Sequence, residues 1–236
     1  MTYIISDLHG HMNEFLQMLE KINFSDNDIL YVLGDVIDRG PLPVTLLIYI
    51  LSKSNIILLM GNHEKMMLDS FRDESSWGLH TKSIWNNNGS SSTLKEFNKL
   101  TSEEQDTLLD KIEKLPYYDI VECNNQTYLL SHSGVAMRDG DTLEEAIEAD
   151  VSTRRILWNR EDILFWKNRS DTIMIHGHTP TIRWHPDYKP LIYHYEDGKK
   201  INVDCGCTLN LKMGCLCLDT MEEYYVDCES IMKKIF

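Results

Sequence analysis

The sequence predicts an α/β protein in which two mixed β-sheets pack face to face as a sandwich, with helices outside and polar loops gathered at one rim. Apolar runs at residues 3–5, 29–33 and 56–60 are typical of buried strands. Helical patterns separate them, and strands that alternate with helices favour a parallel arrangement with helical crossovers. Further apolar runs after residue 118 predict the second sheet.

The elements predicted in the first half of the chain follow from residue periodicity. Residues 11–22 carry apolar side chains near the 3.6-residue period of a helix, and residues 43–52 predict a more apolar helix that begins with Pro43. Residues 66–118 have a mainly helical pattern. We expect them to form an insertion within a single domain that spans residues 1–236.

The second half of the chain predicts mostly strands. Asn124 and Asn125 form a turn between two apolar runs, and the second run leads to His132. A polar and aromatic stretch further on is typical of a surface loop or hairpin close to the rim. The predicted segments are strands at 120–123 and 127–131, a helix at 143–149, the loop or hairpin at 188–200 and two strands within 203–218.

Three polar segments follow the first three apolar runs directly. They read Ser-Asp-Leu-His-Gly at 6–10, Gly-Asp-Val-Ile-Asp-Arg-Gly at 34–40 and Gly-Asn-His-Glu at 61–64, and they recur every 28 residues, about one βαβ unit. Carboxylate, imidazole and amide side chains at neighbouring strand ends predict a ligand site for divalent manganese, iron or zinc. Taken singly, each segment is also typical of a capped turn, so the prediction depends on their order.

Composition indicates a compact chain with an acidic surface. The formal net charge of −14 disfavours nucleic acid as a partner. No run approaches the roughly 20 apolar residues that span a bilayer, and the N-terminus carries no basic segment typical of a signal peptide. We therefore expect a cytoplasmic protein with no membrane partner, while the sequence leaves its oligomeric state open.

Four cysteines form two Cys-x-Cys pairs near the C-terminus, at positions 205, 207, 215 and 217. Zinc knuckles usually space their cysteines as Cys-x-x-Cys, which makes a zinc site or two disulfides the less favoured alternatives. Residues two apart on a strand share a face, so we expect these cysteines to be small core residues in a reducing compartment.

Five ordered segments resemble the phosphoprotein phosphatases, a group of calcineurin-like metallophosphoesterases. The family pattern GD-x-HG, GD-x-x-DRG, GNHE, HxG and GHT corresponds to the three segments above and to residues 132–134 and 177–179. The resemblance covers roughly residues 3–218 and is strongest toward small bacterial and phage enzymes of the lambda-phosphatase type, which share Trp-Asn-Arg at 158–160. Ser6 replaces the usual Gly, at a position that is not a ligand.

The resemblance implies two divalent ions bridged by Asp35. Manganese is the expected metal, and the same ligands accept iron or zinc. The remaining ligands would be Asp7 and His9 for the first ion and Asn62, His132 and His178 for the second. A centre of this kind accelerates phosphate ester hydrolysis, which is extremely slow without catalysis.

The resemblance also implies roles for four further residues. His63 would act as general acid toward the leaving group, with Asp38 holding its imidazole. Arg39 and Arg160 would bind the phosphate oxygens through charge-assisted hydrogen bonds. The assignment of Arg160 depends on the short Trp-Asn-Arg match, because two other arginines lie nearby in the sequence.

The expected function is that of a serine/threonine protein phosphatase, a phosphomonoesterase for phosphorylated proteins or peptides, with phosphotyrosine and small phosphoesters as further substrates. The main alternative is a bis(5'-nucleosyl)-tetraphosphatase acting on dinucleotides. Its symmetrically cleaving type has the patterns GD-x-x-ARG and GNHD, whereas this sequence has Asp38 and Glu64 at the corresponding positions. Other dinucleotide hydrolases share DRG and GNHE with this sequence. A phosphodiesterase or nucleotidase, or a scaffold without activity, are the remaining alternatives.

Overall fold

Two five-stranded sheets form the centre of the protein, in a computed structural model that describes residues 1–73 and 75–228. The strands described are β1 Thr2–Ile5, β2 Ile29–Val32, β3 Ile56–Leu58, β4 Tyr118–Cys123, β5 Gln126–Ser131, β6 Ile173–His176, β7 Tyr193–Tyr195, β8 Lys200–Asn202, β9 Lys212–Cys217 and β10 Glu223–Asp227. The helices described are α1 Met12–Lys21, α2 Pro43–Leu51, α3 Asn62–Arg72, α4 Ser76–Asn87, α5 Ser91–Phe97, α6 Ser102–Glu113, α7 Leu143–Ser152 and α8 Asp162–Phe165.

The sheets are mixed, as predicted. The first has the order β10-β9-β1-β2-β3, in which β1, β2 and β3 are parallel and β9 runs antiparallel to both β1 and β10. The second has the order β4-β5-β6-β8-β7, with β5, β6 and β8 parallel. Five of these six parallel strands, all except β8, therefore present their carboxyl ends to the loops that carry the polar segments.

An apolar layer between the sheets holds them face to face. It contains Ile4 and Tyr31 from the first sheet together with Leu130 and Ile175 from the second. Ile5 lies in a second apolar layer, with buried residues of α1 and α2, because successive strand residues point to opposite faces. The predicted sandwich with helices outside is therefore confirmed.

Four helices, α3 to α6, occupy the stretch between β3 and β4 where a mainly helical pattern was predicted. Trp85, Phe97 and Ile112 are among its buried side chains. The N-terminus of α6 carries a capping box, because Thr101 accepts a hydrogen bond from the Glu104 backbone and Glu104 accepts one from the Thr101 backbone.

The segment 203–218 differs from the prediction of two strands in the second sheet. Alternating apolar residues there mimic a strand, but Gly206 and Asn210 adopt left-handed conformations, with φ of 79° and 56°, and the chain turns through the 3₁₀ helix Cys207–Leu209. Only β9 is a strand, and it pairs with β1 in the first sheet. The four cysteines of this segment are nevertheless buried, as expected.

The predicted loop or hairpin at 188–200 contains β7, which pairs antiparallel with β8 at the edge of the second sheet. None of the helices in the described part of the chain is long and apolar enough to span a membrane.

Candidate metal centre

The six predicted metal ligands lie in loops and at a helix start that follow strands of the two sheets. The backbone brings them to one rim because the parallel strands of both sheets end there. They are Asp7 and His9 after β1, Asp35 after β2, Asn62 at the start of α3 after β3, His132 after β5 and His178 after β6. All six side chains are buried.

One imidazole points toward Asp35 from the β1 side. His9 donates a hydrogen bond from Nδ1 to the Ile37 carbonyl oxygen over 2.7 Å, which leaves its Nε2 free to act as a ligand. That Nε2 atom lies 3.6 Å from Asp35 Oδ2 and 3.2 Å from Nη1 of Arg39. The guanidinium of Arg39 thus places positive charge where a cation bound to His9 would lie.

Two imidazoles and an amide oxygen converge on the other side of Asp35. His132 donates from Nδ1 to the Leu33 carbonyl oxygen over 2.8 Å. Its Nε2 lies 2.8 Å from Asn62 Oδ1, 3.1 Å from His178 Nδ1 and 3.5 Å from Asp35 Oδ1. The buried Nε2 of His178 has no hydrogen-bond partner among the described residues.

These donor atoms fit a pair of divalent ions. Two groups of residues each place their ligand atoms within 4.8 Å of one another. The first group is His9, Asp35 and His63, the second is Asp35, His132 and His178, and they share only Asp35. Asp7 lies outside both groups, with its Oδ2 accepting hydrogen bonds from the Ser6 hydroxyl and the His178 backbone. Imidazole, carboxylate and amide donors around a shared carboxylate suit manganese, iron or zinc.

The electrostatics of the site also favour bound cations. Burial, together with the positive groups of His63 and Arg39, holds the pKa of His9 well below its usual range. Burial likewise lowers the pKa of His132 and of His178, which favours the neutral imidazole that metal ligation requires. Burial and the carboxylates of Asp7 and Glu64 raise the pKa of Asp35 well above normal, and a nearby cation would offset that repulsion.

Backbone strain is concentrated at the same rim. Six of the ten predicted site residues have positive φ angles, between 41° for His9 and 71° for Asp38. The other four site residues with positive φ angles are Asp7, Asp35, Arg39 and His178. Such conformations are unfavourable for residues other than Gly and are retained chiefly where they serve a functional site.

A buried histidine–aspartate pair stands beside the metal ligands. His63 Nδ1 donates to Asp38 Oδ2 over 2.5 Å, and His63 Nε2 lies 3.8 Å from Asp35 Oδ2. Two residues of the helical insertion also bind the Asp38 carboxylate. Trp85 Nε1 donates to Asp38 Oδ2 over 2.7 Å, and the Thr93 hydroxyl donates to Asp38 Oδ1 over 2.5 Å. Burial lowers the pKa of His63, while Asp38 acts in the opposite direction.

Two exposed arginines face the centre. Arg39 donates to Nε2 of His9 and, over 3.0 Å, to Nε2 of His63. Arg160 donates to the hydroxyl of Thr179, next to His178, over 3.3 Å. Burial and the neighbouring Arg183 lower the pKa of Arg160, and the carboxylates of Asp35 and Asp7 act against them.

The two arginines that compete with Arg160 in the sequence are engaged elsewhere. Arg154 pairs with Asp69 over 3.0 Å, and Arg155 forms an ion pair with Asp162. Arg160 is therefore the arginine of this stretch that lies against the predicted ligands.

Three supporting side chains were not assigned a role from the sequence. The buried carboxylate of Glu64 accepts hydrogen bonds from the backbone of Asp35, Val36 and Ile37, and it thereby holds the loop after β2. Ser6, the departure from the family pattern, orients Asp7. Asp204 is buried, and burial and the charge of Asp7 raise its pKa well above normal. Glu64 and Ser6 both stand within polar segments that the sequence singled out, at 61–64 and 6–10.

Two glycines allow the close approach of backbone to ligand. A Cβ atom at Gly61 would lie 2.3 Å from Asp35 Oδ1, and one at Gly177 would lie 2.2 Å from Asp7 Oδ2. Any side chain at either position would displace a predicted ligand, which explains glycine before Asn62 and before His178.

The fold and this group of side chains define a phosphoester hydrolase of the metallophosphoesterase class. The calcineurin-like phosphoesterase family profile matches residues 2–203, and the chain belongs to that family.

Curated relatives fall into two activity groups. The chain is 27% identical to serine/threonine-protein phosphatase 1 of Salmonella typhimurium over 167 residues, 69% of this chain and 70% of that enzyme. It is 24% identical to the asymmetrical bis(5'-nucleosyl)-tetraphosphatase PrpE of Oceanobacillus iheyensis over 233 residues, 89% of this chain and 85% of that enzyme. A symmetrical bis(5'-nucleosyl)-tetraphosphatase of Buchnera aphidicola is 31% identical, but the match spans only 44% of its length.

Solved structures show the same fold. A serine/threonine phosphatase from Saccharomyces cerevisiae superimposes with a TM-score of 0.61 at 16% identity, covering 98% of this chain and 80% of that one. A cold-active protein-tyrosine phosphatase of a Shewanella species gives 0.56 at 16% identity, covering 97% and 78%. At these identities the likeness concerns the fold alone.

Proposed function

We propose that this chain is a metal-dependent phosphomonoesterase that hydrolyses phosphoserine and phosphothreonine in proteins or peptides. The observation that carries the proposal is the buried His63–Asp38 pair, with Asp38 held by Trp85 and Thr93. An alkoxide is a poor leaving group and needs a proton as it departs, so a positioned acid is most valuable for serine and threonine esters.

The proposed enzyme would hold two metal ions through six side chains. Asp35 would bridge two ions, and the other ligands would be Asp7, His9, Asn62, His132 and His178. Manganese is the proposed metal. Two ions held in this way supply charge stabilisation for the phosphoryl group and lower the pKa of a bound water.

The chain's own residues would then handle the proton and the phosphate. His63 would hold a proton at Nε2 and give it to the leaving oxygen, while Asp38 stabilises the imidazolium through Nδ1. Arg39, which now donates to two histidines, and Arg160, beside Thr179, would turn their guanidinium groups to the phosphate oxygens. Exposure of both arginines leaves them free to do so.

The support from Asp38 can be tested at Thr93. Thr93→Val keeps the shape of the side chain but removes the donor to Asp38 Oδ1 and the acceptor for the Asp38 backbone. Because hydrogen bonds to charged groups contribute about 1.5–3 kcal/mol, we expect kcat on a phosphoserine peptide to fall roughly 10-fold or more, with metal content unchanged.

Thr93→Ser is the matched control, because it retains the hydroxyl; it should stay near the parent activity. Equal activity of the Val and Ser variants would mean that Asp38 does not depend on this contact. Thermal unfolding of both variants separates a local effect from loss of the fold.

A dinucleotide hydrolase is the second candidate, favoured by one observation. The asymmetrical tetraphosphatase PrpE matches 89% of this chain, more than the 69% matched by the serine/threonine phosphatase. Arg183, near enough to Arg160 to lower its pKa, would add positive charge for a longer polyphosphate. A nucleoside polyphosphate is a better leaving group than an alkoxide, however, and has less need of the His63–Asp38 pair.

A side-by-side assay decides between the two. The manganese-loaded protein is given a phosphoserine peptide, a phosphotyrosine peptide, para-nitrophenyl phosphate and diadenosine tetraphosphate at matched concentrations. We expect the highest kcat/KM for the phosphoserine peptide. A value for diadenosine tetraphosphate more than tenfold above every phosphomonoester would replace the proposal with the dinucleotide activity.

A further inference from the structure

A second cluster of metal-ligating side chains lies apart from Asp35. Ligand atoms of His11, Cys207 and Cys228 lie within 4.8 Å of one another, and all three residues are buried. The two sulfur atoms are 2.6 Å apart. The cluster shares no residue with either group around Asp35, and its three residues come from the loop before α1, the 3₁₀ helix after β8 and the end of β10.

A buried carboxylate lies beside the cluster. Glu14 is 8% exposed, and its Oε2 lies 3.6 Å from Nδ1 of His11. Burial lowers the pKa of His11, and its pairing with Glu14 acts in the opposite direction. Burial, the neighbouring Cys228 and the charge of Glu14 all raise the pKa of the Cys207 thiol, so the carboxylate and the sulfur lie in one another's field. We call His11, Glu14, Cys207 and Cys228 the thiol cluster.

We propose that the thiol cluster is a zinc site that fastens the start of α1 to the C-terminal end of the first sheet. One imidazole, two thiolates and one carboxylate supply the four ligands of tetrahedral zinc, and sulfur with imidazole selects zinc over manganese. The Glu14 carboxylate, which pairs with His11 in this structure, would become the fourth ligand.

Charge and protons balance in this site. Binding of Zn²⁺ releases the proton of each thiol, so two protons leave as one doubly charged ion enters. The dication then faces two thiolates, one carboxylate and a neutral imidazole. With Zn–S bonds of about 2.3 Å and tetrahedral angles, the distance between the two sulfur atoms would be roughly 1 Å longer than it is in this structure.

The Glu14 side of the thiol cluster faces an open groove. A groove of about 820 Å³ is lined by Glu14 together with residues of α1 and β10, among them Glu20, Tyr225 and Asp227. Its acidic residues attract cations toward Glu14. A disulfide between the two cysteines is the competing outcome. It would need an oxidant, and it would give no role to His11 and Glu14.

Cobalt provides a readout that belongs to this site alone. The full-length protein is stripped with chelator, reduced and titrated with Co²⁺ while absorption is followed. Thiolate ligands produce a sulfur-to-cobalt charge-transfer band in the near ultraviolet, and the ligands predicted around Asp35 include no sulfur. We expect the full amplitude of this band to correspond to one sulfur-bound Co²⁺ per chain, with Co²⁺ at the Asp35 centre adding nothing to it, and the band to disappear on addition of Zn²⁺.

The variant Cys207→Ser/Cys228→Ser should lose the band, whereas Cys123→Ser, at a half-buried cysteine on β4, should retain it. Zn²⁺ should also slow alkylation of Cys207 and Cys228 at least tenfold in the unmodified chain, a measurement that does not depend on folding of a variant. Absence of the band from the reduced protein, or alkylation unaffected by Zn²⁺, would overturn the proposal. Both readouts are independent of phosphatase activity.

Discussion

Asp35→Asn is expected to lose both metal ions and essentially all hydrolytic activity. Asp35 is the residue that the two groups of ligand atoms share, so its replacement weakens both ions at once. Changes to groups that merely support a ligand already cost about 10–100-fold in metal affinity, and loss of a bridging carboxylate should exceed that range. Elemental analysis of the manganese-loaded variant after gel filtration should find well under one manganese ion per chain.

His9→Ala is the comparison, because it removes a ligand from the first ion only and should leave the second in place. Asn is a close match in size, and it can still accept the hydrogen bond that Asp35 Oδ1 receives from the His63 backbone. Since burial disfavours the charged form of Asp35, the metal-free variant should melt no lower than the metal-free parent. An Asp35→Asn protein with two tightly bound ions would show that Asp35 is not the bridge.

His63→Asn should retain both ions but lose roughly 10²–10⁴-fold in kcat on a phosphoserine peptide, the usual contribution of general acid catalysis. The loss on para-nitrophenyl phosphate should be much smaller, because nitrophenolate departs without a proton. His63 belongs to one of the groups of ligand atoms around Asp35, so this contrast separates an acid from a ligand. Steady-state kinetics on the two substrates, with metal analysis of the same samples, provides the measurement.

Asp38→Asn should show the same substrate contrast in weaker form. Asp38 acts on the leaving group only through His63, whose pKa it raises against the effect of burial. Losses of equal size on both substrates, or a missing ion in His63→Asn, would assign His63 to metal binding or to positioning of the phosphate instead.

The strands and the rim could be predicted because the information is local. Apolar runs at residues 3–5, 29–33 and 56–60 end directly in polar segments, and parallel strands in one sheet must bring those ends together. His132 and His178 come from the second sheet. The sequence predicted that the two sheets pack on one another, but the place of these two histidines beside Asp35 followed only from the family resemblance.

The support behind Asp38 could not be predicted. Trp85 and Thr93 lie 47 and 55 residues from Asp38 in the sequence, and their contacts depend on how the helical insertion packs. An apolar pattern in the sequence does not distinguish a core tryptophan from one that, like Trp85, donates a hydrogen bond. Nothing near Thr93 marks it as different from other threonines.

The thiol cluster was missed for a related reason. Cys207 was expected on a strand with Cys205, but the left-handed Gly206 turns the chain between them. The two side chains therefore lie in different surroundings. His11 was expected simply to open the first helix. Cys228 stands 21 residues beyond Cys207, and only the pairing of β9 with β10 brings the two sulfurs together.

Electron paramagnetic resonance of the manganese-loaded chain tests the central claim most directly. Two Mn²⁺ ions that share the Asp35 carboxylate are coupled by exchange, so the spectrum at two equivalents should be that of a coupled pair. The signal of isolated Mn²⁺ should be nearly absent, and Asp35→Asn should abolish the coupling. A spectrum of isolated Mn²⁺ only, saturating at one ion per chain in the fully active enzyme, would contradict the two-metal account.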